Sequence, residues 1–117
     1  MNYLLLVLEP PGQRAERNLA EGQWAYDQML AYAQALKAEG QLLGVNSLLG
    51  DEQGTRVQVR QGRTRAVDGP FTEAKEMIGG YFLVDCNSLA EAAALAERCP
   101  AAAWATVEVR PVGPCWA

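Results

Sequence analysis

The residues with the clearest capacity for chemistry lie between positions 68 and 85, in the order Asp68-Gly69-Pro70-Phe71-Thr72-Glu73-Ala74-Lys75-Glu76-Met77-Ile78-Gly79-Gly80-Tyr81-Phe82-Leu83-Val84-Asp85. Four charged side chains, Asp68, Glu73, Lys75 and Glu76, fall within the first nine of these residues. Gly69 and Pro70 force a turn, and a carboxylate at the head of a turn has a fixed direction. Partial burial would raise the pKa of Asp68 toward that of a useful general base, and hydrogen bonds from nearby amides would lower it. The same residue is equally suited to capping the turn. Tyr81 can donate a phenolic hydrogen bond to a substrate oxygen, although an aromatic residue in a strand also serves as core. Gly79-Gly80 admits a close backbone or ligand approach, or a bulge.

Elsewhere the chain limits the options. It contains no histidine, which removes the commonest general base near neutral pH and the commonest transition-metal ligand. Acid–base work would fall to carboxylates, Lys, Tyr or Cys, and neither a metal nor an organic cofactor is expected. No phosphate-binding glycine loop or nucleophile elbow occurs. Cys86, Cys99 and Cys115 show no Cys-x-x-Cys spacing and read as free thiols of a reducing compartment. Arg56, Arg60, Arg63 and Arg65 gather four of the ten basic residues in one short region. Arg56 and Arg60 share a face with Gln58, so they can meet an anionic ligand or form a solvated face that blunts an exposed edge.

The elements that position these residues follow from periodicity. Residues 2–9 form a strand apolar on both faces, with Tyr3, Leu5 and Val7 against Leu4, Leu6 and Leu8. Ala25, Met29, Tyr32 and Leu36 mark one stripe of a helix over 21–39, ended by Gly40. Residues 41–49 form a second strand. Strands over 55–60 and 63–67 flank Gln61-Gly62 as a hairpin. A strand over 80–86 follows the polar loop. Ser88 and Glu91 have capping-box spacing for a helix over 87–99, and a last strand runs over 104–109. At 117 residues this is one domain, residues 1–117. Two helices can cover one face of an antiparallel sheet, so the pattern predicts an α+β, ferredoxin-like βαββαβ unit with an extra hairpin. Strands apolar on both sides leave the second sheet face to a second copy of the chain, giving a homodimer joined through its sheet faces.

The net charge of −4 argues against nucleic acid or anionic lipid as partner. The apolar run over 3–8 is too short to span a membrane and has no signal-peptide features, so a cytoplasmic protein is expected.

The stretch from Asp68 to Glu76 resembles the signature of the DGPF-motif branch of the YCII-related family. The resemblance extends over residues 3–112 and implies a dimeric α+β barrel, in which ferredoxin-like units pack sheet to sheet. In the family the signature usually has Ala where this chain has Thr72, and Thr where it has Ala74. The carry-over therefore covers Asp68, Gly69, Pro70, Phe71, Glu73, Lys75 and Glu76; the last six are candidate ligand contacts, with Arg56 added from the hairpin. Other branches resemble small enzymes with a proposed His–Asp pair, which a chain without histidine cannot make. Two functions stand side by side. One is a small cofactor-independent enzyme performing isomerase- or lyase-type proton transfer on a small polar organic molecule, with Asp68 as acid or base and Tyr81 assisting. The other is a non-catalytic ligand-binding or interaction module, accessory to sigma-factor-linked transcriptional regulation as the resemblance suggests.

Overall fold

A computed structural model describes residues 1–116; Ala117 lies outside the described residues. Four strands form one antiparallel sheet: β1 (Asn2–Glu9), β2 (Leu42–Ser47), β5 (Met77–Asp85) and β6 (Thr106–Pro111), in the order β2-β5-β1-β6. Helices α1 (Leu19–Ala38) and α2 (Leu89–Arg98) are the long covering elements. Strands β3 (Thr55–Arg60) and β4 (Arg63–Asp68) pair only with each other, as a separate two-stranded ribbon. The architecture is mixed α+β and ferredoxin-like, with the apolar middle strands β1 and β5 at the centre.

Alternation along β1 and β5 sorts their side chains. Tyr3, Leu5, Val7, Phe82 and Val84 are buried with Tyr32, Ala33 and Leu36 of α1 and Ala92, Leu95 and Ala96 of α2. Tyr32 anchors this core twice. Its ring meets Phe82 edge-on at 5.1 Å, and its hydroxyl donates to the Leu95 carbonyl at 2.6 Å. The opposite row, Leu4, Leu6, Leu8 and Leu83, is only half-buried. The expected burial of both faces therefore holds for the helix side within one chain, and the other face stays open.

Several boundaries differ from the sequence expectation for local reasons. Helix α1 starts at Leu19, two residues early, because Asn18 and Glu21 form a reciprocal capping box. Strand β5 starts at Met77 and takes in Gly79-Gly80, with a register shift opposite Val7 and Leu8. The glycines thus form a bulge inside the strand rather than its entrance. Residues Pro100–Ala103 form a 3-10 turn, which delays β6 to Thr106. The Ser88 cap is present, its hydroxyl accepting from the Glu91 amide at 3.1 Å.

The ribbon is tied at its base only. Gln61 and Gly62 have φ of 52° and 74°, as a two-residue hairpin turn requires. All twelve strand residues of the ribbon are exposed. The radius of gyration is 16.0 Å, against about 13 Å for a compact chain of this length. No helix among the described residues is long and apolar enough to cross a membrane.

Candidate functional site

A concavity lies between α1 and the sheet, where β1 ends and β5 begins. It encloses about 410 Å³, and its walls include Val7, Met29, Ala33, Phe82 and Trp104. Glu9 is the one carboxylate among its lining residues. The strand explains why it is there. Period-two alternation carries the buried row Tyr3, Leu5, Val7 one step further to Glu9, which is 7% exposed.

A carboxylate so placed needs a partner, and Arg14 supplies it. Its Nε donates to Glu9 Oε1 at 2.9 Å and its Nη2 to Oε2 at 2.7 Å, a bidentate pair. The hydrogen bond to Glu9 raises the pKa of Arg14, against the opposing effect of burial. The same guanidinium donates to the Leu48 carbonyl at 2.8 Å and the Gly79 carbonyl at 3.3 Å. One side chain thus joins the ends of β1, β2 and β5. The β5 bulge makes room for it, since a Cβ on Gly79 would overlap Oε2 of Glu9 and come within 3.0 Å of the Arg14 guanidinium. Glu9 and Arg14 did not stand out in the sequence, yet the signal for Glu9 was present as the one acidic residue on the buried row. Nothing in the sequence ties Arg14 to it.

At the cleft's edge Arg17 lies 5.4 Å from the Trp104 ring centre, and Trp24 stacks on Trp104 at 6.0 Å with a tilt of 54°. Gln13 holds Trp104 in turn by donating to its carbonyl at 2.5 Å. Tyr26 and Leu30 also line the cleft. An apolar-walled pocket with one buried carboxylate, a cation and an aromatic face suits a small ring bearing hydroxyl groups.

The sequence-predicted residues fall in a different place. Asp68 is the last residue of β4, opposite Thr55, and is exposed. Its carboxylate makes no hydrogen bond or ion pair among the described residues. The expected turn cap comes instead from Asp51, whose Oδ2 accepts from the Phe71 amide at 3.1 Å. The reason is that β4 extends through Asp68, so its side chain follows the strand's alternation. Gly69 donates its amide to Gly54 at 2.9 Å and sits so close to the Asp51 carbonyl that a Cβ would overlap it. The Gly69–Pro70 peptide is cis. Phe71 lies under the Arg56 guanidinium, 4.0 Å from ring centre to Cζ. Glu73, Lys75 and Glu76 are exposed. Tyr81, at the edge of the cleft, accepts a hydrogen bond from Asn46 Nδ2 at 2.8 Å. The structure therefore brings Arg56, Phe71 and Glu73 together, and keeps Asp68 apart from Tyr81 and the cleft. Among the described residues no cluster of metal-ligating side chains occurs.

Residues 1–115 match the YCII-related domain. The chain belongs to that family. An uncharacterized protein, R00369, from Rhizobium meliloti (strain 1021) is 55% identical over 31 residues. That match spans 26% of this chain and only 25% of the relative. Among solved structures, the chain is similar to 5-chloro-2-hydroxyhydroquinone dehydrochlorinase from Burkholderia phenoliruptrix AC1100 in complex with 2,5-dihydroxybenzoquinone. The TM-score is 0.57 at 22% identity, covering 97% of this chain and 94% of the other. A likeness at that identity shows a common fold.

Proposed function

We propose that this YCII-related protein is a small enzyme that moves a proton on a hydroxylated ring compound bound in the α1–sheet cleft, as a lyase or isomerase does. The observation that carries this reading is Glu9, the one buried carboxylate lining a cleft whose walls are largely apolar but include Arg14 and Arg17. A carboxylate has about four acceptor positions, and Arg14 occupies two, so a substrate hydroxyl can take a third. Glu9 then receives the proton and becomes the neutral acid, the negative charge passes to the substrate oxygen, and the Arg14 and Arg17 guanidinium groups face that anion. The dehydrochlorinase of similar fold acts on a molecule of this class, which supports the substrate assignment. Membership of the DGPF-motif branch and a homodimer closing the open row of Leu4, Leu6, Leu8 and Leu83 belong to the same reading. Sedimentation at twice the chain mass is the expected result for the dimer.

The non-catalytic alternative draws on one observation, that both Glu9 oxygens already accept from Arg14. In that case the pair is a structural pin beside a binding site. A panel of hydroxylated benzenes and quinones, followed by quenching of Trp104 and then by turnover, separates the two. Glu9→Gln should leave binding within about threefold and lower turnover by about a hundredfold or more. Val45→Trp, at the half-open wall of the cleft, should block binding with Glu9 untouched. Binding without turnover in the unaltered protein supports the ligand-binding module, and a panel with no binder removes both readings of this cleft.

A further inference from the structure

The arginines of the ribbon are the largest block of charge that the cleft does not use. In the paired register Arg56 stands opposite Val67, Gln58 opposite Arg65 and Arg60 opposite Arg63. Alternation therefore puts all four guanidinium groups on one face, leaving Val57, Val59 and Ala66 on the other. Arg14, Arg98 and Arg110 each hold a carboxylate. None of the four ribbon arginines does so among the described residues, in a chain with 14 acidic residues. Like charges placed directly opposite weaken a ribbon, so Arg60 facing Arg63 is a local cost without internal compensation.

The base of this face is concave. The loop after Pro70 folds back on it, enclosing about 330 Å³ lined by Arg56, Gln58, Arg65, Val67, Phe71 and Glu73. A guanidinium resting on an aromatic ring keeps its N–H groups in its own plane, pointing outward past the ring edge. Arg56 is held over Phe71, and its side chain makes no hydrogen bond among the described residues. We infer that this recess binds a small organic anion, a carboxylate or phosphate monoester on a compact apolar body. Arg56 and Arg65 pair with the anionic oxygens and Gln58 donates a further hydrogen bond. Val67 and Phe71 receive the apolar part. Glu73 on the lining disfavours a molecule that is negative at both ends. A polyanion fits less well, because without the four arginines the chain has 6 basic residues against 14 acidic ones and would repel an extended phosphate backbone. This site is separate from the cleft and does not depend on the activity proposed for it.

The test is calorimetric titration of the intact chain with phenyl phosphate, and with inorganic phosphate in parallel. One saturable site per chain is expected, with phenyl phosphate the tighter by about fivefold because of the apolar lining. Arg56→Gln and Arg65→Gln should each weaken it by about tenfold. Arg60→Gln and Arg63→Gln make the same change of charge at the ribbon tip and should weaken it by less than about threefold, since exposed charges outside the recess are screened. All four positions are exposed, so the variants should fold. Equal losses in all four overturn the recess in favour of a diffuse basic surface. Tighter binding of a single-stranded DNA of about 12 nucleotides does the same. No saturable binding of either phosphate at millimolar concentration overturns the inference outright.

Discussion

The protein carries charge in two contrasting ways. At the cleft, one buried carboxylate is paired with a partly exposed guanidinium that ties the ends of three strands together. On the ribbon, four guanidinium groups stand exposed with no carboxylate partner among the described residues. Burial makes the first arrangement costly to disturb, because removing one partner leaves an uncompensated charge in a low-dielectric site. Exposure makes the second cheap to alter and free to respond to a ligand. Structural cost thus accumulates around Glu9, while the freedom to bind anions accumulates around Arg56.

Arg14→Met tests the first half of this contrast most severely. It should lower stability by about 3 kcal/mol, the low end for a broken buried pair because the Arg14 side chain is 40% exposed. Adding Glu9→Gln should recover a good part of that loss in urea denaturation. A single variant within error of the parent would show that the pair is not a structural pin.

Gly69→Ala probes where the ribbon is fastened. Its Cβ would overlap the Asp51 carbonyl, so a loss of about 2 kcal/mol is expected. Hydrogen exchange should rise from residue 50 through 76 and stay unchanged in α1. Spread of the effect into α1 would mean that ribbon and cleft are one cooperative unit.

A pH series separates the regions by burial alone. Burial raises the pKa of the Cys99 thiol, and burial also pushes the Tyr32 hydroxyl far up. A group that keeps its proton longer when folded contributes stability that is complete below its unfolded pKa and is lost as pH rises above it. Stability should therefore fall as pH rises above the unfolded thiol value of about 8.5. Urea midpoints above about pH 8 are the measurement; Cys99→Ala should lessen the fall, and Cys86, whose thiol pKa burial also raises, should carry the rest. A midpoint that rises with pH would contradict the assignment.

The smallest effect is expected from Asp68→Asn, within about 0.5 kcal/mol of the parent, because the residue is exposed and makes no ion pair among the described residues. Unchanged turnover on any substrate found for the cleft should accompany it. A loss of turnover at full stability would restore Asp68 as a chemical group and shift attention from the cleft to the ribbon.

Much of the scaffold was legible in the sequence. The six-stranded, two-helix order follows from alternation and turn residues, and the ribbon bounds at Thr55, Arg60 and Arg63 were readable from strict period two and Gln61-Gly62. The Ser88 cap was readable because its partner Glu91 opens a short alanine-rich helix. Asn18 and Glu21 have the same spacing, but they follow a polar connector that hides the helix start. The site was harder to see. Asp68 drew attention because it heads a turn, and the turn's hydrogen bond is made by Asp51, 20 residues away from Phe71. Glu9 looked like a strand end until the buried row was continued to it. Its pairing with Arg14 depends on where the chain turns after Pro10, which local periodicity does not encode.

The Arg14 cross-link also bears on the order of assembly. Its contact with Glu9 spans 5 residues, but those with Leu48 and Gly79 span 34 and 65. The distant contacts can close only after β2 and β5 have joined the sheet, since the loops between must first be gathered in. The latch is therefore expected to form late, after these strands have paired. Weakening it should leave the refolding rate almost unchanged and speed unfolding instead. By that logic the side chain that shapes the cleft also sets how long each folded molecule lasts.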